Sequence, residues 1–96
     1  MNVKVSIAID NCVPINSGLP FLGEHGLSML LEIQGKRLLI DAGQSSAIIH
    51  NLSLLGIAPP SLDMIAISHG HYDHTGGLYH VLDHAGKKIP VYLHEE

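Results

Sequence analysis

At 96 residues the chain is long enough for one small domain, which at this size buries roughly 60–65% of its unfolded surface. Apolar residues make up 46% and charged residues 15%, the balance of a core-forming globular chain rather than a disordered one. A net charge of −4 and an isoelectric point near 6.0 argue against broad electrostatic capture of nucleic acid or of an anionic membrane surface. The single Cys12 excludes an intramolecular disulfide framework, fits a reducing compartment, and reads best as a small buried hydrophobe. Neither a secretory leader nor an apolar run of the ~20 residues that a membrane span needs is evident, so the cytoplasm is the expected location. The sequon at Asn51-Leu52-Ser53 then has no glycosylation role.

Residues 1–96 read as a single domain. Val3, Val5, Ile7 and Ile9 alternate with smaller or polar residues, which predicts a strand with one buried face. Pro14, Asn16-Ser17-Gly18 and Pro20 mark a loop, which continues through Glu24-His25-Gly26. On residue type alone, His25 either faces a site or is an ordinary loop histidine. Two apolar runs, 27–33 and 37–40, flank Gln34-Gly35-Lys36 and predict a β-hairpin. Asp41 follows at the mouth of the second run, where it either closes a turn, caps a helix, or accepts hydrogen bonds from a ligand loop. Ser45 or Ser46 would cap a helix running to Leu55, with Ile48, Leu52 and Leu55 on one face and Gly56 as its stop. His50 reads as a surface residue on this helix. After Pro59-Pro60, the nearly all-apolar run 62–67 predicts a strand covered on both faces.

That strand opens into His69-Gly70-His71-Tyr72-Asp73-His74, a loop holding three histidines and one aspartate within six residues. Imidazole and carboxylate donors, with no thiolate nearby, suit a divalent ion such as zinc, iron or manganese. Alternation along an extended backbone would put His69 and His71 on one side, where both reach one ion. Asp73 and His74, across the bend, would serve a second ion, and paired ions roughly 3.5–4 Å apart are a recurring hydrolytic device. Packing gives no reason to put so much titratable side chain in so short a loop. Beyond it, residues 78–82 predict a helix ending near Gly86, with His80 and His84 at i, i+4. Because Val81, not a glutamate, follows His80, this is not a His-Glu-x-x-His metalloprotease helix, and a solvated face suits both histidines. Residues 89–94 predict another strand.

Glu24-His25-Gly26-Leu27-Ser28, Leu39-Ile40-Asp41-Ala42-Gly43-Gln44-Ser45 and Ile67-Ser68-His69-Gly70-His71-Tyr72-Asp73-His74-Thr75-Gly76-Gly77-Leu78 together resemble the metallo-β-lactamase fold superfamily. Within it they look most like the branch of 7,8-dihydropterin-6-methyl-4-(β-D-ribofuranosyl)aminobenzene-5′-phosphate synthase. The resemblance implies an α/β (α+β) fold, the N-terminal half of an αββα sandwich, with a mixed β-sheet and helices on one face. It also implies up to two divalent ions, zinc by preference and iron or manganese as alternatives. His69 and His71 correspond to ligands of the first ion, and Asp73 and His74 to ligands of the second. Asp73 is also the candidate catalytic residue, and Asp41 corresponds to the acid that orients the ligand loop. His25 and His94 are the candidate substrate-side residues. His71, standing where oxygen-reducing flavo-diiron relatives carry Glu, points to hydrolysis rather than redox chemistry.

The activity so implied is metal-dependent hydrolysis of a small phosphorylated or ester-like metabolite by a metal-bound hydroxide. In the family the remaining ligands lie in the second half of the sandwich, so this chain on its own is expected to bind metal weakly and to show little or no activity. One alternative is a non-catalytic half-domain that pairs with a C-terminal half, another partner or a second copy of itself, covering an otherwise exposed apolar face. The other is a metal-dependent nuclease, because RNA-processing relatives share the His-x-His-x-Asp-His pattern. The acidic balance weighs against nucleic acid as a partner, and a small molecule is the expected substrate.

Overall fold

The structure, a computed structural model, describes residues 3–10 and 19–93; Cys12 and His94 lie outside them. Five strands form one mixed sheet in the order β1-β2-β3-β4-β5, comprising β1 Val3–Ile9, β2 Ser28–Ile33, β3 Lys36–Ile40, β4 Met64–Ile67 and β5 Val91–Leu93. The first three are antiparallel neighbours, and β3, β4 and β5 are parallel. The predicted hairpin is present, closed by Gln34 and Gly35 at φ 50° and 77°, the twist that two-residue hairpin turns favour. Between the parallel strands run α1 Ala47–Leu54 and α3 Leu78–Ala85, and a single turn of helix, α2 Tyr72–Thr75, lies within the histidine loop.

One face of the sheet carries the core. Leu30, Leu39 and Ile65 form a cross-strand row that is fully buried against Ile48 and Leu52 of α1 and Val81 of α3. Both helices lie on this face, as expected for half of a layered sandwich. At the start of α1 the N-cap residue is Ser46, whose side chain makes no capping bond, while Ser45 Oγ, one residue earlier, accepts from Ala47 N at 3.2 Å. His84 Nδ1 lies 2.8 Å from the His80 carbonyl oxygen on the exposed side of α3, as a solvated helix face requires.

The opposite face is open, which corrects two expectations. Val3, Val5 and Ile7 are each about half exposed (49–54%), and the buried residues of β1 are Ala8 and Ile9. Period-two alternation identifies two faces but not which one receives the helices, and on β1 a register shift between Ile7 and Ile9 takes Ile9 into the core while Val3, Val5 and Ile7 stay on the open face. The strand at 64–67 is likewise covered on one side only, with Ile65 and Ile67 buried and Met64 exposed. Two apolar rows therefore cross the open face, Val5–Leu31–Leu38–Met64 and Ile7–Met29–Ile40–Ala66. Among the described residues, no helix is long and apolar enough to cross a membrane.

Candidate metal centre

Strands β1, β3 and β4 run in one direction, so their C-terminal ends and the approach to β2 meet at one end of the sheet. Asp41 leaves β3 there, and Ser68 through His74 leave β4. Loops at the carboxyl ends of parallel strands are held by the sheet yet open to water, which suits a reactive site. The His69, His71 and Asp73 side chains converge, each offering a donor atom, and these atoms all lie within 4.8 Å of one another. The His69 ring centroid is 4.6 Å from that of His71 and 4.2 Å from that of His74. Asp73 Oδ2 stands 3.4 Å from His74 Nε2 and 3.4 Å from His25 Nε2. Of the residues singled out in the sequence, His25, Asp41, His69, His71, Asp73 and His74 are thus brought together.

Asp41 sets the electrostatics of this cluster. It is 2% exposed and held at φ 60°, a backbone region that Asp enters more readily than most residues. Its Oδ1 accepts from Ser68 N, and its Oδ2 from Ser68 Oγ and His74 Nδ1, each at 2.7 Å. Burial alone would push its carboxyl up; the hydrogen bonds from the Ser68 amide, the Ser68 hydroxyl and the His74 ring outweigh it and hold the group below its ordinary value. An ionised carboxylate only accepts, so His74 carries a proton on Nδ1, and in the neutral ring Nε2 is the nitrogen with the lone pair. Ser68 Oγ gives its only hydrogen to Asp41, so His69 Nδ1, 2.9 Å away, donates to that oxygen and likewise frees Nε2. One buried acid therefore fixes two imidazole tautomers, the arrangement that orients metal-binding histidines.

Ser68 is the residue that pattern reading missed, and Glu24, singled out only beside His25, gains its role from the structure. Ser68 carries no signal of its own beyond its place at the strand mouth. Glu24 Oε2 accepts from Gln44 N at 2.5 Å and Ser45 N at 3.0 Å, while Oε1 accepts from Ser45 Oγ. This ties the 24–26 segment to the 41–45 loop. That loop in turn supports the histidine loop through Ala42 N to His74 O at 2.8 Å and Gly77 N to Gly43 O at 3.1 Å. A Cβ at Gly77 would strike the Ala42 carbonyl oxygen, and one at Gly26 would strike that of Asp73, so both approaches require glycine. Asn51, part of the sequon, is buried and spends its amide on Ala8 O, Leu22 O and Leu22 N at 2.7–2.8 Å, tying the segment that leads to Glu24 into the core.

Residues 22–96 match the metallo-beta-lactamase superfamily. The chain belongs to that superfamily. It is 41% identical over 98 residues to the 7,8-dihydropterin-6-methyl-4-(beta-D-ribofuranosyl)-aminobenzene-5'-phosphate synthase of Methanocaldococcus jannaschii, covering 97% of this chain and 33% of that protein. Over 79 residues it is 33% identical to a ribonuclease Z of Clostridium botulinum, covering 81% of this chain and 24% of the relative. A solved metallo-beta-lactamase from Cronobacter sakazakii superposes on 66% of the chain and 26% of its own length, with TM-score 0.56 and 33% identity. The chain thus spans about a third or less of the length of these relatives. Members of the superfamily bind divalent metals, and the donor set at this end of the sheet fits such an ion: imidazole nitrogens of His69 and His71 beside the Asp73 carboxylate.

Proposed function

We propose that this chain carries the first metal-binding half of a metallohydrolase active site, and that the complete enzyme cleaves a small phosphorylated or ester-like metabolite. The observation that carries the reading is the convergence of the His69, His71 and Asp73 donors within 4.8 Å, beside a His74 whose tautomer Asp41 has fixed. A divalent ion in such a site, with zinc first and iron or manganese as alternatives, polarises the scissile group and activates water near neutral pH. His69 and His71 would hold one ion, and Asp73 and His74 the other. Asp41 and Ser68 occupy the Nδ1 atoms of His74 and His69 and so aim their Nε2 atoms at the ion. The phosphorylated class rests on the likeness to the synthase, whose own name specifies a 5'-phosphate.

The test is the metal-to-chain ratio, by elemental mass spectrometry, on gel-filtered protein never exposed to chelator. With only part of the ligand set in this chain, the expected result is a ratio above zero but below one, and a ratio near one or two would mean that an associating chain supplies the missing ligands. A ratio near zero in folded protein would overturn metal binding by this chain and leave the histidine loop dependent on the rest of the enzyme. The likeness to ribonuclease Z makes an RNA substrate the competing assay; the net charge of −4, with five Lys and Arg in all, weighs against it. Cleavage of a generic single-stranded RNA with added zinc or manganese would reverse that preference.

The open sheet face favours a second reading, in which the chain is a non-catalytic half-domain that pairs with a C-terminal half or with itself. Val3, Val5 and Ile7 line one side of it, and Met64 and Tyr92 (58% exposed) the other. Contiguous apolar surface of this kind promotes association. A dilute monomer on gel filtration would count against self-pairing.

A further inference from the structure

All five Lys and Arg residues of this acidic chain lie at the end of the sheet away from the histidine loop. Lys4 lies at the start of β1, Lys36 and Arg37 open β3, and Lys87 and Lys88 precede β5, strands that all run toward the metal centre. Asp10, Glu24, Asp41 and Asp73 lie at the other end. Without a bound metal, this separation draws anions to the first end and repels them from the second. Lys4, Lys36 and Arg37 line a half-open cavity of about 640 Å³, together with Glu32, Ser61 and Asp63. That volume falls within the roughly 300–1,000 Å³ of small-molecule sites.

The strand register pairs Lys4 with Glu32 and Glu32 with Arg37, and Arg37 is pinned within that row. Its Nε donates to Glu32 Oε2 at 3.3 Å, its Nη1 to Ser61 Oγ at 2.8 Å, and its amide to Asp63 Oδ2 at 2.8 Å. Nη2 has no acceptor among the described residues, so the fixed guanidinium keeps donors to spare. The ammonium groups of Lys4 and Lys36 have no ion-pair or hydrogen-bond partner among the described residues. Glu32 balances Arg37, so two ammonium groups stand against the one carboxylate of Asp63, an oxygen of which the Arg37 amide already occupies. Two compact positive charges around a fixed guanidinium suit a phosphate, whose oxygens accept from several directions and whose charge exceeds that of a carboxylate.

We propose that this cavity binds a small phosphorylated molecule, its phosphate held by Lys4, Lys36 and the Nη2 group of Arg37. The site is separate from the metal centre. From Arg37 to Asp41 the chain takes four steps of extended strand at about 3.3 Å each, roughly 13 Å in all. A phosphate held here is not the group that an ion at the histidine loop would polarise. The proposal therefore stands independently of the metallohydrolase reading.

The experiment is an amide NMR titration of the chain stripped of metal, so that no ion at the histidine loop competes for phosphate. Inorganic phosphate and glycerol 3-phosphate are the probes, with ionic strength held constant by sodium chloride. The expected result is saturable shifts at residues 4, 34–37 and 61–63, half-complete at millimolar concentration or below, with glycerol 3-phosphate binding at least as tightly as phosphate. The paired variant Lys4→Gln, Lys36→Gln should lose at least about fivefold in affinity, since an exposed ion pair is worth up to about that factor. The control Lys87→Gln, Lys88→Gln makes the same charge change outside the cavity and should bind as wild type. Melting temperatures check that both variants fold. Shifts that do not saturate or that centre elsewhere, a smaller loss in the paired variant, or an equal loss in the control would overturn the site. Binding of inorganic phosphate alone would overturn the phosphorylated ligand and leave a site for the bare ion.

Discussion

Replacing Asp41 with Asn isolates what its charge does. Asn tolerates the φ of 60° at this position about as well as Asp, so the backbone need not move. The amide oxygen can still accept from Ser68 N, but an NH2 group now faces the Ser68 hydroxyl and His74 Nδ1 where a carboxylate oxygen stood. Three hydrogen bonds to a charged group, worth about 1.5–3 kcal/mol each, become neutral ones worth about 0.5–1.5. The easier burial of a neutral group offsets part of that loss. The net cost is about 1–2 kcal/mol, which for a domain of this length lowers the melting temperature by roughly 5–15 °C. The larger effect is on tautomers. His74 relieves the clash of two donors by moving its proton to Nε2, which removes the lone pair that faces Asp73. Metal affinity should fall by about 10–100-fold, as for other partners that orient a ligand. Differential scanning calorimetry and competition with a chromogenic chelator measure the two quantities. An Asp41→Asn chain that melts within about 2 °C of wild type and binds metal within about threefold would refute the reasoning.

The same carboxyl predicts an acid limb in the metal-free chain. Its folded value lies below the unfolded one, so its contribution is complete above about pH 4 and is lost as pH falls through the folded value. Urea midpoints of wild type and Asp41→Asn should therefore converge on acidification, and a constant gap down to pH 2 would contradict this. Gly77→Ala should cost about 3 kcal/mol or prevent folding, because the new methyl meets a backbone oxygen and Ile48 Cγ2 at 2.9 Å; an unchanged melting temperature would show that the loop can yield. Asn51→Ala leaves the buried Ala8 carbonyl and the part-buried Leu22 backbone groups without this partner and should cost about 1–3 kcal/mol, read as a melting temperature lower by at least about 5 °C. Leu31→Lys puts a charge in the middle of the open face and should shift any self-associated species to the 10.3 kDa monomer in sedimentation velocity; an association that survives it does not use this face.

The parts of the fold that were legible in sequence are those in which a single residue or spacing commits the backbone. Gln34-Gly35 between apolar runs announces a hairpin, Gly86 ends α3 in a left-handed cap at φ 64°, and four titratable donors after an apolar strand announce a site. What could not be read depends on contacts between segments distant in sequence. Ser68 becomes significant only when Asp41, from another strand, reaches its amide and hydroxyl. Glu24 looks like any loop acid until its two oxygens are seen to gather the amides ahead of α1. Asn51 enters the sequence reading only as a sequon without a role, because an amide that satisfies three backbone groups looks, in sequence, like one facing water. The open face of β1 was misread for a related reason. Alternation sets the spacing of apolar side chains, but the positions of the helices decide which spacing is buried.

The hydrogen bonds that shape the candidate site and the apolar rows of the open face belong to different parts of the structure. Donor geometry depends on Ala42 N to His74 O, Gly77 N to Gly43 O, Gly43 N to Leu27 O and the Asp41 carboxylate, all at the C-terminal ends of the strands. None of these bonds involves a side chain of the Val5–Leu31–Leu38–Met64 row, which crosses the sheet nearer its middle. Covering that row changes association while leaving the tautomers of His69 and His74 as Asp41 and Ser68 have set them. Metal occupancy and assembly should then be separable, and Leu31→Lys distinguishes the cases. A monomeric Leu31→Lys chain that keeps the metal of wild type means the donors come from within one chain. A chain that loses its metal on becoming monomeric means that a second copy supplied part of the coordination, and the open face would then belong to the site itself.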